Sequence, residues 1–376
     1  MAVLDLKSAR VVFALCALAV VAYLSVLGYT LQHGIALPGR LIADGVDRYV
    51  YYERARFWPD RSIPYRDVFS EYPPLGTLSF AAPFMVGDAS KMTPERYGFW
   101  WSCFMGLAFL ATIAVILRAR QDGGLSPGPA LLMLSPSILY FSLMRFDILC
   151  AFLVCASLYR FMQGSYSAAA ALLALGVYVK WYPGVLFPLY LAHNLRSLHW
   201  SKTARHAGVF IGIIGLLTVL SLAAFTWDGF LQPYLYHARR GSQYFNPFWV
   251  GQRVFDDEPL ALAFLAVQLA SPLLFMLKIQ HGDRSVLKYS VLTIYLFITF
   301  AKIDSPQWIV WYAPVVLMFA RDRATLTFLF VTSLLNYVVF PLAYDAMDNQ
   351  GLQFSSIVLA KDIALLAVVL CIVTRE

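Results

Sequence analysis

Long apolar runs recur through almost the whole of this sequence. Runs of roughly 15 to 23 residues extend from Val11 to Val373, and a helix needs about 20 apolar residues to cross a bilayer core. Only 14% of the 376 residues are charged and the mean hydropathy is +0.65, whereas soluble domains carry about 25% charged residues. The sequence therefore predicts an all-α, polytopic transmembrane helical bundle. The alternating segments of about ten residues that form a membrane barrel are absent.

Cysteine usage and the distribution of charge argue against a cysteine metal site and against a nucleic-acid-binding protein. The five cysteines all lie inside apolar runs, and their spacing matches no metal site. The net charge of +7 could suggest a nucleic-acid partner, but the basic residues concentrate in short loops beside apolar runs. Such loops set the orientation of membrane helices. We therefore expect the lipid bilayer as a partner and no nucleic acid.

Basic loops also predict the path of the chain. Lys7 and Arg10 precede the first run, which is too long for a signal peptide, so we interpret it as an uncleaved helix with a cytoplasmic N-terminus. Inner loops, such as the one holding Arg118 and Arg120, are basic at each inner turn. Both termini are then cytoplasmic in a multi-pass protein of the plasma (inner) membrane. The predicted spans, about 12 in number, cover roughly 11–31, 97–117, 128–143, 148–162, 166–179, 183–192, 207–226, 258–277, 286–301, 306–320, 324–343 and 355–373.

This path divides the chain into two predicted modules. Residues 1–206 form an N-terminal membrane module, and residues 207–376 form a C-terminal module that completes a cleft. A large first outer loop, residues 32–96, carries interfacial helices, because the apolar piece within it is short and opens with two prolines. Charged side chains at the ends of unusually short spans usually line a cavity, and here they gather at the outer face.

Carboxylates in the first outer loop are candidates for acid–base chemistry. Asp44 and Asp47 lie close to the end of the first span, where a carboxylate could accept the proton of an attacking alcohol. Either residue could instead cap a loop helix. Glu71 could bind a sugar hydroxyl or pair with a nearby arginine. These three residues could also hold a divalent cation, although their spacing is no recognised site, and no other cofactor is implied.

Cations at the same face are suited to phosphate oxygens. Each has a structural alternative: Arg145 could pair with Asp147 to hold a tight turn, Lys180 could extend to the interface, and the segment 234–249 could be an aromatic belt. The candidates are Arg145, Lys180, His237, Arg239, Arg240 and Lys302.

Three segments resemble the GT-C superfamily of integral membrane glycosyltransferases. They are Asp47 and Tyr51 with IPYRDVFSEYPPL, then VYVKWYPGVLFPLYL, then KIDSPQWIVWYAPV, in the family's order. The resemblance is strongest to polyprenol-phosphate-mannose-dependent mannosyltransferases and the catalytic subunit of GPI mannosyltransferase I. It implies a bundle of the GT-C type, with Asp47 as the base and Asp44 as second choice. It also favours Lys180, Lys302 and Gln307 as contacts of the donor phosphate, and we expect substrate contacts from Tyr51, Glu71, Tyr72, Asp147 and Tyr182.

The resemblance implies an inverting glycosyltransferase. It would move a sugar, with mannose favoured, from a polyprenyl-phosphate donor to a glycolipid or glycan acceptor at the outer membrane face. No nucleotide-binding loop follows a predicted strand, which fits a lipid-linked donor. A membrane glycan polymerase or ligase and a lipid-linked sugar transporter or flippase are the alternatives, and the sequence shows no clear internal repeat of the kind many transporters contain.

Overall fold

The computed structural model describes residues 2–33, 45–86, 88–240, 257–279, 283–344, 347 and 352–375. These residues form no β-sheet, and one isolated bridge joins Pro64 to Val68. The predicted all-α class is confirmed. The α-helices in chain order are α1 (Ala2–Gln32), α2 (Gly45–Ala55), α3 (Pro74–Ser79), α4 (Pro94–Asp122), α5 (Pro136–Met144), α6 (Asp147–Met162), α7 (Tyr166–Val179), α8 (Phe187–Ser197), α9 (Trp200–Arg239), α10 (Asp257–Met276), α11 (Asp283–Thr299), α12 (Ile309–Phe319), α13 (Arg323–Tyr337) and α14 (Leu352–Arg375). Short 3₁₀ helices cover Ala82–Met85, Ala89–Lys91, Gly128–Leu134, Tyr182–Leu186 and Pro306–Trp308, and a π-helical turn covers Val338–Ala343.

Several of these helices have the length and composition of membrane spans. Within the described ranges, α5 and α6 are bent by 105° at their junction and would count together as a seventh span. The total of about 12 crossings includes shorter helices such as α7 and stays a prediction. The six helices that qualify individually cover Lys7–Gln32, Pro94–Asp122, Trp200–Arg239, Pro259–Met276, Arg323–Ala343 and Gln353–Arg375.

The outward faces of the peripheral helices are apolar. On α9 the side chains of Ile211 and Leu216 are 62% and 58% exposed, and on α10 those of Leu262 and Leu269 are 67% and 54% exposed. A surface of large aliphatic side chains on this scale is rare on monomeric soluble proteins. It is the surface that a bilayer covers, so the fold is a polytopic membrane bundle.

Helix breaks occur where the sequence predicts that spans end. Helix α7 stops at Val179, and Lys180 is extended before the 3₁₀ turn that contains Pro183. Helix α9 is interrupted at Thr226, which has φ 65° and ψ 170°, a conformation rare for a β-branched residue. Its 40 residues would measure about 60 Å if straight, twice the bilayer core. The break lies at the end of the predicted span 207–226.

Contacts between helix ends separate the charged residues into two groups. At one end, Arg196 donates a hydrogen bond to the carbonyl of Met276, and Lys288 donates to that of Val373 at 2.9 Å. These residues belong to the predicted inner loops and helix ends. The opposite end holds the residues predicted to lie outside, whose contacts are described below. The grouping agrees with the predicted alternation of helix direction, and which end faces the cytoplasm stays a prediction.

Helix α12 is the most enclosed helix of the bundle, with every residue from Ile309 to Phe319 buried. Its last turn is capped by Arg120, which donates to the carbonyls of Leu317 and Ala320 at 2.6 and 3.1 Å. Arg120 is only 2% exposed and lies inside α4, so the expectation that it belongs to an inner loop is wrong. The reason is that helix C-terminal carbonyls need donors, and a guanidinium supplies several.

Close packing of α3 against the end of α7 generates a stability prediction. A Cβ atom on Gly76 would lie 2.6 Å from the carbonyl oxygen of Val179 and 3.3 Å from the Phe146 ring. We expect Gly76→Ala to lower the free energy of unfolding by about 1–3 kcal/mol, because backbone must move to admit the methyl group. Thermal unfolding of the purified protein in nanodiscs measures this. Gly212→Ala is the matched control, since nothing lies within 4 Å of its added carbon. Equal losses in both variants would contradict the packing argument.

Candidate active site

Two ion pairs meet at the turn between α5 and α6. Asp47, in the first turn of α2, pairs with Arg145, whose backbone is extended between the two helices. The Asp47 side chain is 36% exposed and the Arg145 side chain 6% exposed. A half-exposed carboxylate is therefore paired with a buried guanidinium. Asp44, the second predicted base, lies outside the described residues.

The second pair is buried more deeply. Asp147 is fully buried, and its Oδ1 accepts hydrogen bonds from Lys180 Nζ and Trp311 Nε1, each at 2.6 Å. Lys180 Nζ also lies 4.6 Å from the ring centre of Phe146. Among the described residues no partner reaches the Oδ2 atom of Asp147. Arg145 and Asp147 thus pair with residues of other segments, and Lys180 turns inward to a carboxylate.

Aromatic rings connect the outer loop to this turn. Tyr51 is 1% exposed and stacks on Phe80 with ring centres 4.7 Å apart. Tyr72 meets Phe146 edge-on at 4.8 Å. Burial, followed by the nearby charge of Glu71, raises the pKa of Tyr72 well above its ordinary value. The rings hold the loop against the residues on either side of Phe146.

Tyr182 lies on the other side of the Lys180 pair. Its ring stacks on Trp311 with centres 4.2 Å apart and an interplanar angle of 4°. It is 1% exposed, so the ring supports Trp311, which in turn donates to Asp147. Of the predicted substrate residues, Tyr51, Tyr182 and Asp147 are therefore enclosed, whereas Tyr72 is half-buried.

Glu71 ties the first outer loop to α9. Its carboxylate pairs with Arg54 at 3.0 Å, the ion-pair alternative of the sequence analysis. Its carbonyl oxygen accepts a hydrogen bond from His237 Nε2 at 2.9 Å. Lys302 Nζ donates to the carbonyl of Ala238 at 3.3 Å, next to His237. The structure thus brings the early loop, the end of α9 and the KIDSPQ segment together.

The remaining predicted cations lie at a surface. Arg239 is exposed and Arg240 half-buried, and both line an open cavity of about 440 Å³ beside Phe69 and Tyr236. Neither arginine forms an ion pair with a carboxylate that the structure describes. Gln307 is half-buried in the turn Pro306–Trp308, and no hydrogen bond joins it to another predicted site residue in the described ranges.

Two features of this end were missed from the sequence. Trp311 was treated as part of an apolar span, yet it donates to the buried carboxylate of Asp147. Lys361 lies within α14, is 5% exposed, and pairs with Asp304 of the KIDSPQ segment and with Asp362. A lysine and an aspartate inside an apolar run are the signal that would have found the second feature, since ionisable residues within membrane segments usually face a partner.

A metal site finds no support among the residues that the structure describes. No group of three or more His, Cys, Asp or Glu side chains there is arranged to hold an ion. Two of the three carboxylates considered for a divalent cation are engaged with arginines: Asp47 with Arg145 and Glu71 with Arg54.

The fold and these ion pairs describe a helical membrane protein with carboxylates and cations at one end of the bundle. The model of glycosyltransferase family 87 matches residues 69–341, and the chain belongs to that family of GT-C-type membrane glycosyltransferases. The match covers Arg145, Lys180 and Lys302, whereas Asp47 precedes it. None of the curated proteins matches the chain.

Lys361 provides a prediction about the KIDSPQ segment. Replacing it with Met leaves Asp304 without its cation, and because the Asp304 side chain is 29% exposed we expect the free energy of unfolding to fall by about 1–3 kcal/mol. In the double variant Asp304→Asn with Lys361→Met the loss should be smaller than the sum of the two single losses, because the partners are removed together. Thermal or denaturant unfolding in nanodiscs measures all three variants.

The control is Lys91→Met, which removes an ion pair with Asp88 in which the lysine side chain is 74% exposed. Exposed pairs contribute about 0–1 kcal/mol, so this variant should unfold almost like the wild type. Strictly additive losses for Asp304 and Lys361 would show that the two side chains do not stabilise each other.

Proposed function

We propose that this glycosyltransferase transfers a sugar, mannose being favoured by the resemblance, from a polyprenyl-phosphate donor to a glycolipid or glycan acceptor with inversion at the anomeric carbon. The reaction would take place at the non-cytoplasmic face of the plasma membrane. The observation that carries the proposal is the Asp47–Arg145 pair: a half-exposed carboxylate on a buried cation, two residues from the Lys180–Asp147 pair.

Asp47 is the base in this mechanism. The acceptor hydroxyl attacks the anomeric carbon, its proton passes to the Asp47 carboxylate, and the bond from that carbon to the phosphate oxygen breaks. The products are the glycosylated acceptor and polyprenyl phosphate. Asp47 suits this role because its side chain is 36% exposed, whereas Asp147 is fully buried and already accepts two hydrogen bonds. A positioned base contributes about 10²- to 10⁴-fold.

Arg145 links donor binding to the base. A carboxylate that is paired with a guanidinium is a weaker proton acceptor than a free one, because the cation stabilises its charged form. Phosphate oxygens bind guanidinium in the same two-pronged manner as carboxylates do. The donor phosphate would therefore replace Asp47 on Arg145, and the released carboxylate would accept the acceptor's proton.

Lys180 would stabilise the leaving phosphate without leaving its own partner. Its ammonium group has three donors, of which one is engaged by Asp147 at 2.6 Å. Because Asp147 is also held by Trp311, this pair is fixed in place before the donor arrives. Preorganised cations of this kind stabilise developing negative charge at no reorganisation cost. Lys302, Gln307, His237, Arg239 and Arg240 are the other proposed donor contacts.

Replacing Asp47 by Asn tests the proposal. We expect turnover to fall by at least about 10²-fold with a radiolabelled polyprenyl-phosphate mannose donor, because the amide cannot accept the proton. Polyprenyl phosphate should bind this variant as tightly as the wild type or more tightly, since Arg145 no longer has a carboxylate competitor. Arg145→Met should weaken binding of the same lipid.

Asp60→Asn is the control, because Asp60 lies in the same loop and its ion pair with Arg56 is largely exposed. It should retain wild-type turnover. Full activity of Asp47→Asn would refute the base. Failure of the wild type to release polyprenyl phosphate from this donor would refute the proposed donor, and the chain would then be a family 87 glycosyltransferase that uses another sugar donor.

A further inference from the structure

A cleft lies between the first outer loop and the half of α9 that follows Thr226. It is open, has a volume of about 440 Å³, and falls in the size range of small-ligand sites. The side chains from α9 are spaced at three to four residues and therefore share one helix face. The lining residues are Phe69, Asp228, Gln232, Leu235, Tyr236, Arg239 and Arg240.

The lining combines aromatic rings with hydrogen-bonding groups. Phe69 and Tyr236 have ring centres 5.4 Å apart and an interplanar angle of 62°, so they form two walls of a corner. Asp228 adds an exposed carboxylate on the same helix face. A sugar ring has an apolar C–H face that packs on an aromatic ring and hydroxyl groups that donate to a carboxylate. The cleft therefore has the chemistry of a carbohydrate subsite.

The cleft is connected directly to the helix that carries the proposed base. The Arg54 guanidinium lies 4.6 Å from the ring centre of Phe69. Arg54 and Asp47 are seven residues apart on α2, which is two turns, about 10 Å along the same helix face. A glycan seated beside Phe69 and Tyr236 would thus extend toward Asp47 along α2, two helix turns away.

Solvent access distinguishes this cleft from the donor side. The proposed phosphate contacts Arg145 and Lys180 are 6% and 14% exposed, in a setting of aromatic rings that suits a lipid-linked molecule. The cleft is open, and Asp228 on its rim is exposed. Arg239 and Arg240 line the cleft and are also proposed donor contacts, so in this proposal the acceptor subsite adjoins the donor side. An acceptor whose sugars extend into water would enter here.

We propose that this cleft binds a sugar residue of the acceptor other than the one that is glycosylated. The inference rests on the proposed function, and it specifies an acceptor with at least two sugar residues. Tyr236 supplies the packing face and Asp228 accepts hydrogen bonds from hydroxyl groups.

The test compares binding of two glycosides and needs no donor. Octyl mannoside and octyl dimannoside are titrated into the protein in nanodiscs, and the dissociation constants are measured. We expect the wild type to bind the dimannoside about tenfold more tightly, the equivalent of one aromatic or hydrogen-bonded contact. Tyr236→Ala and Asp228→Ala should each reduce that preference while leaving the mannoside affinity unchanged.

Trp227→Ala is the matched control, since Trp227 is an aromatic residue of the same half-helix, is 62% exposed and does not line the cleft. It should keep the preference for the dimannoside. Equal affinities of the wild type for the two glycosides, or an unchanged preference in both cleft variants, would overturn the inference. Turnover of Asp47→Asn decides the proposed function separately, because glycoside binding does not require the base.

Discussion

The fully buried carboxylate of Asp147 is the interaction on which this end of the bundle depends. A charge in an apolar interior is stable only when it is paired and hydrogen-bonded, and Asp147 meets this requirement with Lys180 and Trp311. The three residues come from the start of α6, the end of α7 and the start of α12. One anion therefore fixes the relative positions of three helices, and its neighbour Arg145 is held beside it. The arrangement of the candidate site therefore follows from the need to pair a buried charge, whether or not a substrate is bound.

The need of buried polar groups for hydrogen-bond partners also fixes the other end of α12. Trp311 anchors the first turn to Asp147, and Arg120 caps the last turn by donating to the carbonyls of Leu317 and Ala320. Terminal helix carbonyls have no partner within the helix, and no water is present in a bilayer core to supply one. Polar anchors at both ends therefore restrict sliding of the central helix along its axis, which apolar packing alone resists only weakly. Lys180 and Trp311 keep their separation because both donate to the same carboxylate, that of Asp147.

Sequence reasoning predicted what depends on the local chain. Apolar length identified the helices, and the predicted spans 166–179 and 207–226 end at the breaks after Val179 and at Thr226. The grouping of charges at one end also agrees with the contacts. Pairings between segments were not predicted: Asp47 with Arg145, Trp311 with Asp147, and Lys361 with Asp304. Periodicity and charge indicate which residues need a partner. Which residue becomes the partner depends on how the helices pack, and the partners are up to 164 positions apart in the sequence.

The two ion pairs differ in a way that bears on catalysis. Arg145 is buried and the Lys180 side chain is only 14% exposed. A buried cation without a partner is costly, so a cleft awaiting an anionic donor needs a resident anion. At Arg145 that anion is a half-exposed carboxylate at the start of α2, which a phosphate can replace and which can then be solvated. At Lys180 the anion is fully enclosed and held by a second donor, so it remains in place. One pair is thus suited to exchange and the other to positioning. A proton acceptor is most useful at the exchangeable pair, because the donor's arrival itself frees it.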